Sequence, residues 1–172
     1  TLFVKDAVLG DTVRAKIVKP KKGYAFARLE EVLEPSPDRV EPVCAYARQC
    51  GGCQLQAVSY ENQLAFKDRK VKNNLIRIGG FQKEEIPMQP IIGMEDPYHY
   101  RNKAQFPVGC DKEGHLIAGF YAGRTHSIIS NRKCYLGVEV NEQILNLVLA
   151  HMEAYDIPAY DEMTGRVWCV TY

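Results

Sequence analysis

No apolar run in the sequence approaches the roughly 20 residues needed to cross a bilayer. The opening segment TLFVKDAVLGDTV also lacks the basic start and unbroken apolar core of a secretory signal. Neither membrane insertion nor export is therefore expected, and the chain reads as cytoplasmic. Excess charge is missing too. The 22 Lys and Arg nearly balance 21 Asp and Glu, for a net +1, so only local clusters of charge can identify a partner. No repeat of fixed period occurs, which excludes a solenoid. No Gly-rich turn opens a helix, so neither a phosphate cradle nor a methyl-donor loop is expected. Cysteine, in contrast, is not scarce. Six occur at uneven spacing, and where thiols stay reduced that favours metal binding over disulfides.

Among what is present, 46% hydrophobic and 25% charged residues describe an ordinary globular chain. Residues 1–33 read as strands. Thr12–Val18 alternates Val13, Ala15 and Ile17 with polar neighbours, Pro20-Lys21-Lys22-Gly23 reads as a turn, and Tyr24–Val32 continues as β. The Pro-rich segment Glu34–Asp38 reads as a linker. Ser59 is the expected N-cap of a helix reaching about Ile78, with Gly79-Gly80 as its stop. Beyond Pro87 and Pro90, Tyr98–Val108 and Leu116–Tyr121 are expected to pair around a turn at Asp111–Gly114. A short strand follows at Ser127–Ile129. A last helix fits Val140–Tyr155, where Leu145, Val148, Leu149 and Met152 form a stripe.

The most specific pattern is Cys44-x5-Cys50-Gly51-Gly52-Cys53. Three thiolates this close can converge on one centre if the backbone curls tightly, which the glycines permit. A fourth ligand would come from Cys110, Cys134 or Cys169. Cys134 is favoured because it lies in the basic loop Asn131-Arg132-Lys133 just before a helix. Four thiolates suit either tetrahedral zinc or an iron–sulfur cluster. Structural zinc usually pairs two short knuckles, whereas three clustered cysteines plus a remote one is an iron–sulfur arrangement, so spacing favours the cluster. The plainest alternative is a set of unligated buried thiols.

RNA-binding signals are more diffuse. Lys67, Arg69, Lys70, Lys72 and Arg77 on the first helix can neutralise phosphates, although a solvated helix face explains them equally well. Tyr100-Arg101-Asn102-Lys103 joins an aromatic ring able to stack on an unpaired base with two cations. Tyr121, Arg124 and His126 repeat that logic. His99, His115 and His151 carry no signal of catalysis.

The cysteine motif with Gln56, the preceding Ser36-Pro37-x2-Arg39, Tyr100–Lys103, Gly119-Phe120-Tyr121 with Arg124-Thr125-His126, Cys134 before a helix, and Tyr160-Asp161-Glu162-x-Thr164-Gly165 stand in a recognisable order. Together they resemble the RNA uracil-5-methyltransferase family, whose members methylate C5 of uridine in ribosomal or transfer RNA with S-adenosylmethionine. The resemblance implies a [4Fe–4S] cluster on Cys44, Cys50, Cys53 and Cys134. It implies RNA contacts by Tyr100, Arg101, Lys103, Arg124 and His126, and likens residues 1–33 to the later strands of a TRAM domain, an OB-like barrel. It also implies an α+β fold in three parts: a partial TRAM-like β module over 1–40, an iron–sulfur segment with a basic helix over 41–80, and a central antiparallel-sheet domain over 81–172. The family's catalytic, S-adenosylmethionine-binding domain is not matched, so no residue is assigned as catalytic and this chain alone is expected to be inactive. Both ends read as cut. Ribosomal RNA is preferred to transfer RNA as partner, and the chain is expected to be monomeric. The rival expectation is a stand-alone RNA-binding protein with a structural zinc or iron–sulfur site.

Overall fold

A computed structural model describes residues 1–161 and Gly165. Glu162, Thr164 and Cys169, used in the sequence reading, lie outside the described residues. The described chain is α+β: two three-stranded sheets and two α-helices. It divides into two compact units, Thr1–Glu41 with Leu55–Glu95, and Pro42–Gln54 with Asp96–Tyr172. This grouping differs from the three consecutive segments drawn from sequence. The cysteine loop joins the later part of the chain, and the basic helix joins the first sheet.

In the first unit, β1 (Leu2–Lys5), β2 (Thr12–Lys21) and β3 (Tyr24–Glu34) form a sheet in the order β1-β3-β2. β1 runs parallel to β3 and β2 antiparallel to it. The turn expected at Pro20–Gly23 is shorter than proposed. β2 continues through Pro20 to Lys21, and Gly23 turns the chain at φ 90°. β2 is an edge strand, where a residue without an N–H interrupts no internal ladder.

The Glu34–Asp38 linker is also more ordered than its prolines suggested, since Ser36 is buried. Its backbone N–H donates to Asp11 Oδ1 at 2.9 Å. Asp11 further accepts from the Val8 N–H at 2.6 Å and from Arg39 Nε at 3.0 Å, while a second Arg39 nitrogen bonds its other oxygen. The paired guanidinium and these N–H donors hold the Asp11 carboxyl far below the usual carboxylate range. Helix α1 spans Tyr60–Arg77, beginning where an N-cap at Ser59 places it and ending one residue before the expected Ile78. Ser59 stands at its N-cap, but its hydroxyl makes no capping bond and instead accepts from Asn62 Nδ2 at 2.9 Å.

In the second unit, β4 (Val108–Cys110), β5 (Leu116–Tyr121) and β6 (Ile128–Ser130) form an antiparallel meander, and α2 spans Val140–Ala154. Phe106, Val108, Ala118, Leu145, Leu149 and Met152 make the core. The α2 stripe read from periodicity is therefore the stripe that packs. The strand expected over 98–108 is much shorter. His99 adopts φ 52°, and the N–H groups of His99 and Arg101 bond the carbonyls of Tyr135 and Leu136, so this stretch docks on a loop rather than joining the sheet ladder. Gly119 is dictated by close approach: a Cβ there would lie 1.8 Å from the Ile129 carbonyl oxygen.

Candidate metal and RNA site

Cys44, Cys50, Cys53 and Cys134 all belong to the second unit. Cys44 and Cys50 are buried, Cys53 and Cys134 half-buried, and Cys110 is exposed. None of these five forms a disulfide. The Cys44–Cys53 loop is held by the β5–β6 hairpin. The Gly51 N–H donates to the Tyr121 carbonyl at 3.1 Å, the Gly123 N–H donates to the Gln49 carbonyl at 3.4 Å, and Cys50 bridges Ala122. A Cβ on Gly51 would meet Gly123 Cα and the Tyr121 carbonyl oxygen, both at 3.2 Å. A side chain here would press on the backbone of the β5–β6 turn, so close approach rather than a positive φ favours glycine at this position. The Gly52 N–H donates to Cys50 Sγ at 3.4 Å.

Burial pushes the Cys44 thiol pKa up, against a hydrogen bond from the Tyr46 backbone; charge on Cys134 and Cys50 raises it further. Cys134 thus lies within electrostatic range of Cys44, although 90 residues separate them in sequence (134 − 44). The donor set is chemically suited to a thiolate-bound metal centre. Among the described residues, no three cysteine sulfurs stand within 4.8 Å of one another. These thiolates would serve as ligands to either a zinc ion or an iron–sulfur cluster, which would cross-link the loops that carry them.

The expected RNA residues fall on two segments of this same unit. Tyr100, Arg101 and Lys103 lie where Arg101 bridges Gly137, beside the loop that carries Cys134. Tyr100 and Lys103 are exposed and Arg101 half-buried. Arg124 and His126 are exposed on the β5–β6 turn that receives the Cys50 loop. Arg124 takes φ 65°, and the His126 ring lies 5.4 Å from that of Tyr121. The cysteine loops therefore each contact a segment bearing candidate RNA residues. One residue given no role in the sequence reading packs beside the Cys134 loop. The His99 Nδ1–H donates to the Gly137 carbonyl at 2.9 Å, because a carbonyl oxygen only accepts. His99 lines a cavity of about 250 Å³ with Arg132, Lys133, Cys134, Glu139 and Glu142.

No protein-family profile matches the chain. Two curated bacterial relatives, each named an uncharacterized RNA methyltransferase, are 45% identical (Clostridium acetobutylicum) and 46% identical (Halalkalibacterium halodurans), both over 96% of this chain. The chain is thus similar in sequence to proteins named RNA methyltransferases. It spans about a third of the length of these relatives, 36% and 35% respectively. Among solved structures, the tRNA (uracil-54, C5)-methyltransferase of Pyrococcus abyssi, in complex with S-adenosyl-L-homocysteine, shares the fold with a TM-score of 0.67 at 22% identity, covering 99% of this chain and 37% of that one. Overall sequence similarity thus returns RNA methyltransferases, the broader class of the resemblance read from the motifs. No helix among the described residues is long and apolar enough to cross a membrane.

Proposed function

We propose that this chain is the RNA-handling part of an S-adenosylmethionine-dependent enzyme that methylates C5 of uridine in RNA, with ribosomal RNA as the preferred substrate. Cys44, Cys50, Cys53 and Cys134 would hold a [4Fe–4S] cluster. The observation that carries this reading is the double attachment just described: the Cys50 loop is hydrogen-bonded to the β5–β6 turn, and the Cys134 loop to the Tyr100–Lys103 segment. When bound, the cluster supplies a covalent cross-link between the two loops. The role of the chain's own residues is then positional. Arg101, Lys103 and Arg124 would neutralise phosphates, and Tyr100 would stack on an unpaired base. A polar loop as short as Cys44–Cys53 buries little apolar area, so metal–thiolate bonds are a natural source of its ordering energy. The parallel β1–β3 pair supports the comparison of the first unit with a TRAM-like barrel.

Two measurements test this. Protein purified without oxygen should carry iron and sulfide in excess of zinc, Cys134→Ser should lose the iron, and Cys110→Ser should retain it. Zinc without iron, or iron lost only in Cys110→Ser, would overturn the ligand assignment. For activity, the gene's complete product is incubated with S-adenosylmethionine and with ribosomal or transfer RNA, and 5-methyluridine is read by mass spectrometry. Product in ribosomal RNA is expected. Product only in transfer RNA would move the substrate, and none in either would overturn the enzymatic reading.

A further inference from the structure

Cys134 opens a turn that is closed by the Gly137 N–H, which donates to the Cys134 carbonyl at 3.1 Å. The three carbonyls that follow Cys134 all accept from one short segment of chain. The His99 N–H donates to Tyr135 at 2.9 Å and the Arg101 N–H to Leu136 at 2.8 Å. The third carbonyl, on buried Gly137, accepts from the His99 ring at 2.9 Å. Any residue but proline can supply the first two bonds, because their donors are main-chain N–H groups. Only a side chain with a donor at the right distance supplies the third. A relay therefore runs from the His99 ring through Gly137 to the backbone of Cys134. Gly137 has little room to shift, since a Cβ there would lie 2.9 Å from Asn141 Nδ2.

His99 reaches this carbonyl from a backbone conformation that a β-carbon disfavours. Its φ is 52°, in the left-handed region, where Asn, Asp and His are the commonest residues after glycine. Such a conformation persists only where the surroundings impose it. The approach is set one turn earlier, where Asp96 Oδ1 accepts the Tyr98 N–H at 2.9 Å across Pro97. Burial does not account for the placing of His99, because the residue is exposed. Its backbone and ring bonds both go to the Cys134 turn.

We infer that His99 is a positioning residue for the candidate fourth ligand: by clamping the Gly137 carbonyl it holds the turn that presents the Cys134 thiolate to the metal centre. This rests on the reading of Cys44, Cys50, Cys53 and Cys134 as a ligand set, and it requires no contact between His99 and the metal. Cys134 is the member that needs such support. The other three cysteines share one short loop bonded to the β5–β6 turn. Cys134 comes alone, 81 residues beyond Cys53 (134 − 53), so its own turn decides where its thiol stands. A ligand held in place loses less freedom on coordination, and loosening its support lowers affinity for the metal.

The test uses the full chain purified without oxygen, with His99 changed in turn to Ala, Gly and Asn. Ala and Gly both remove the ring donor, but Gly adopts a positive φ freely. Asn also tolerates that φ, and its amide nitrogen can replace Nδ1 as donor. Bound iron and zinc are counted, and their release is timed against a ferrous-iron chelator and a zinc-binding dye. Amide hydrogen exchange, before and after chelation, follows the Cys134–Gly137 turn and, separately, β4, β5 and α2. His99→Gly and His99→Ala should release metal about fivefold faster than the parent, the worth of one hydrogen bond. Their exchange should rise in the turn and not in β4, β5 or α2. His99→Asn should stay within about twofold of the parent on both measures. If His99→Gly matches the parent and only His99→Ala fails, backbone strain is at work and the clamp is refuted. Metal release unchanged in all three variants refutes it too, as does faster exchange spread over β4, β5 and α2. A parent carrying neither iron nor zinc removes the ligand set and the positioning role with it; exchange in the turn then shows whether the His99 bond still orders the loop.

Discussion

The two units reach order by different means. The second has a compact apolar core in which Phe106, Ala118 and Leu145 are at most 1% exposed, with the Phe106 and Phe120 rings 4.8 Å apart. The first buries little beyond Ala25 and Ala27, and α1 has no buried residue. It is pinned by polar bonds: Asp11 gathers the Val8 and Ser36 backbone and Arg39 around one carboxylate, and the Arg39 guanidinium also donates to the Asp6 carbonyl. Area burial is spread over many contacts and insensitive to acid. A carboxylate hub depends on a few donors and on its charge.

The contrast is broken most strongly at Phe106. Phe106→Ala should cost about 3–5 kcal/mol, with hydrogen-exchange protection lost across β4, β5 and α2 while β1–β3 keep theirs. Loss spread evenly over both units would show that they unfold as one body. Next comes Asp11→Ala, expected to cost about 2 kcal/mol because it leaves four donor nitrogens of three buried or half-buried residues without their acceptor. Its loss should fall on the first unit.

Acid sharpens the same point. The folded Asp11 pKa is depressed, so its contribution is complete above the unfolded value of about 3.9 and is lost as pH falls from there through the folded pKa. Acid titration should therefore remove first-unit protection in the parent and much less of what remains in Asp11→Ala. Equal acid sensitivity in both would assign the effect to other groups. The smallest change is expected at Ser59. Its hydroxyl bonds Asn62 rather than the helix backbone, so Ser59→Ala should cost under about 0.5 kcal/mol, against about 1 for a capping serine. A full capping cost would mean that Ser59 caps α1 in solution.

Local chemistry made much of this readable. The α2 stripe, the Gly79-Gly80 stop and the Asp111–Gly114 turn depend on neighbours a few residues away, and each lies where periodicity and turn residues place it. The 98–108 stretch was misread because its apolar residues look like strand. Its backbone donors go to the Cys134–Gly137 loop, a partner that no local pattern reveals. The Glu34–Asp38 linker was misread for a similar reason: Pro35 and Pro37 signal an irregular backbone correctly, but only the fold supplies Asp11 to bind it.

The same division holds at the candidate site. Cys44, Cys50 and Cys53 could be read as a candidate ligand set because short spacing limits how far their thiols can separate. The candidate fourth ligand could be ranked in the sequence only by its context before α2; in the fold Cys134 is half-buried and within electrostatic range of Cys44, while Cys110 is exposed. The first sheet is the last instance. Alternation in β3 was legible by itself, but which lysines stand beside Tyr24 and Phe26 depends on the register between strands. The shift between Ile17 and Lys19 puts Lys19 opposite Phe26 and Lys21 opposite Tyr24. Sequence determines what each residue offers and what its nearest neighbours allow. Register and long-range docking decide which offers meet, because they are set by the summed pairing of whole segments rather than by any short stretch.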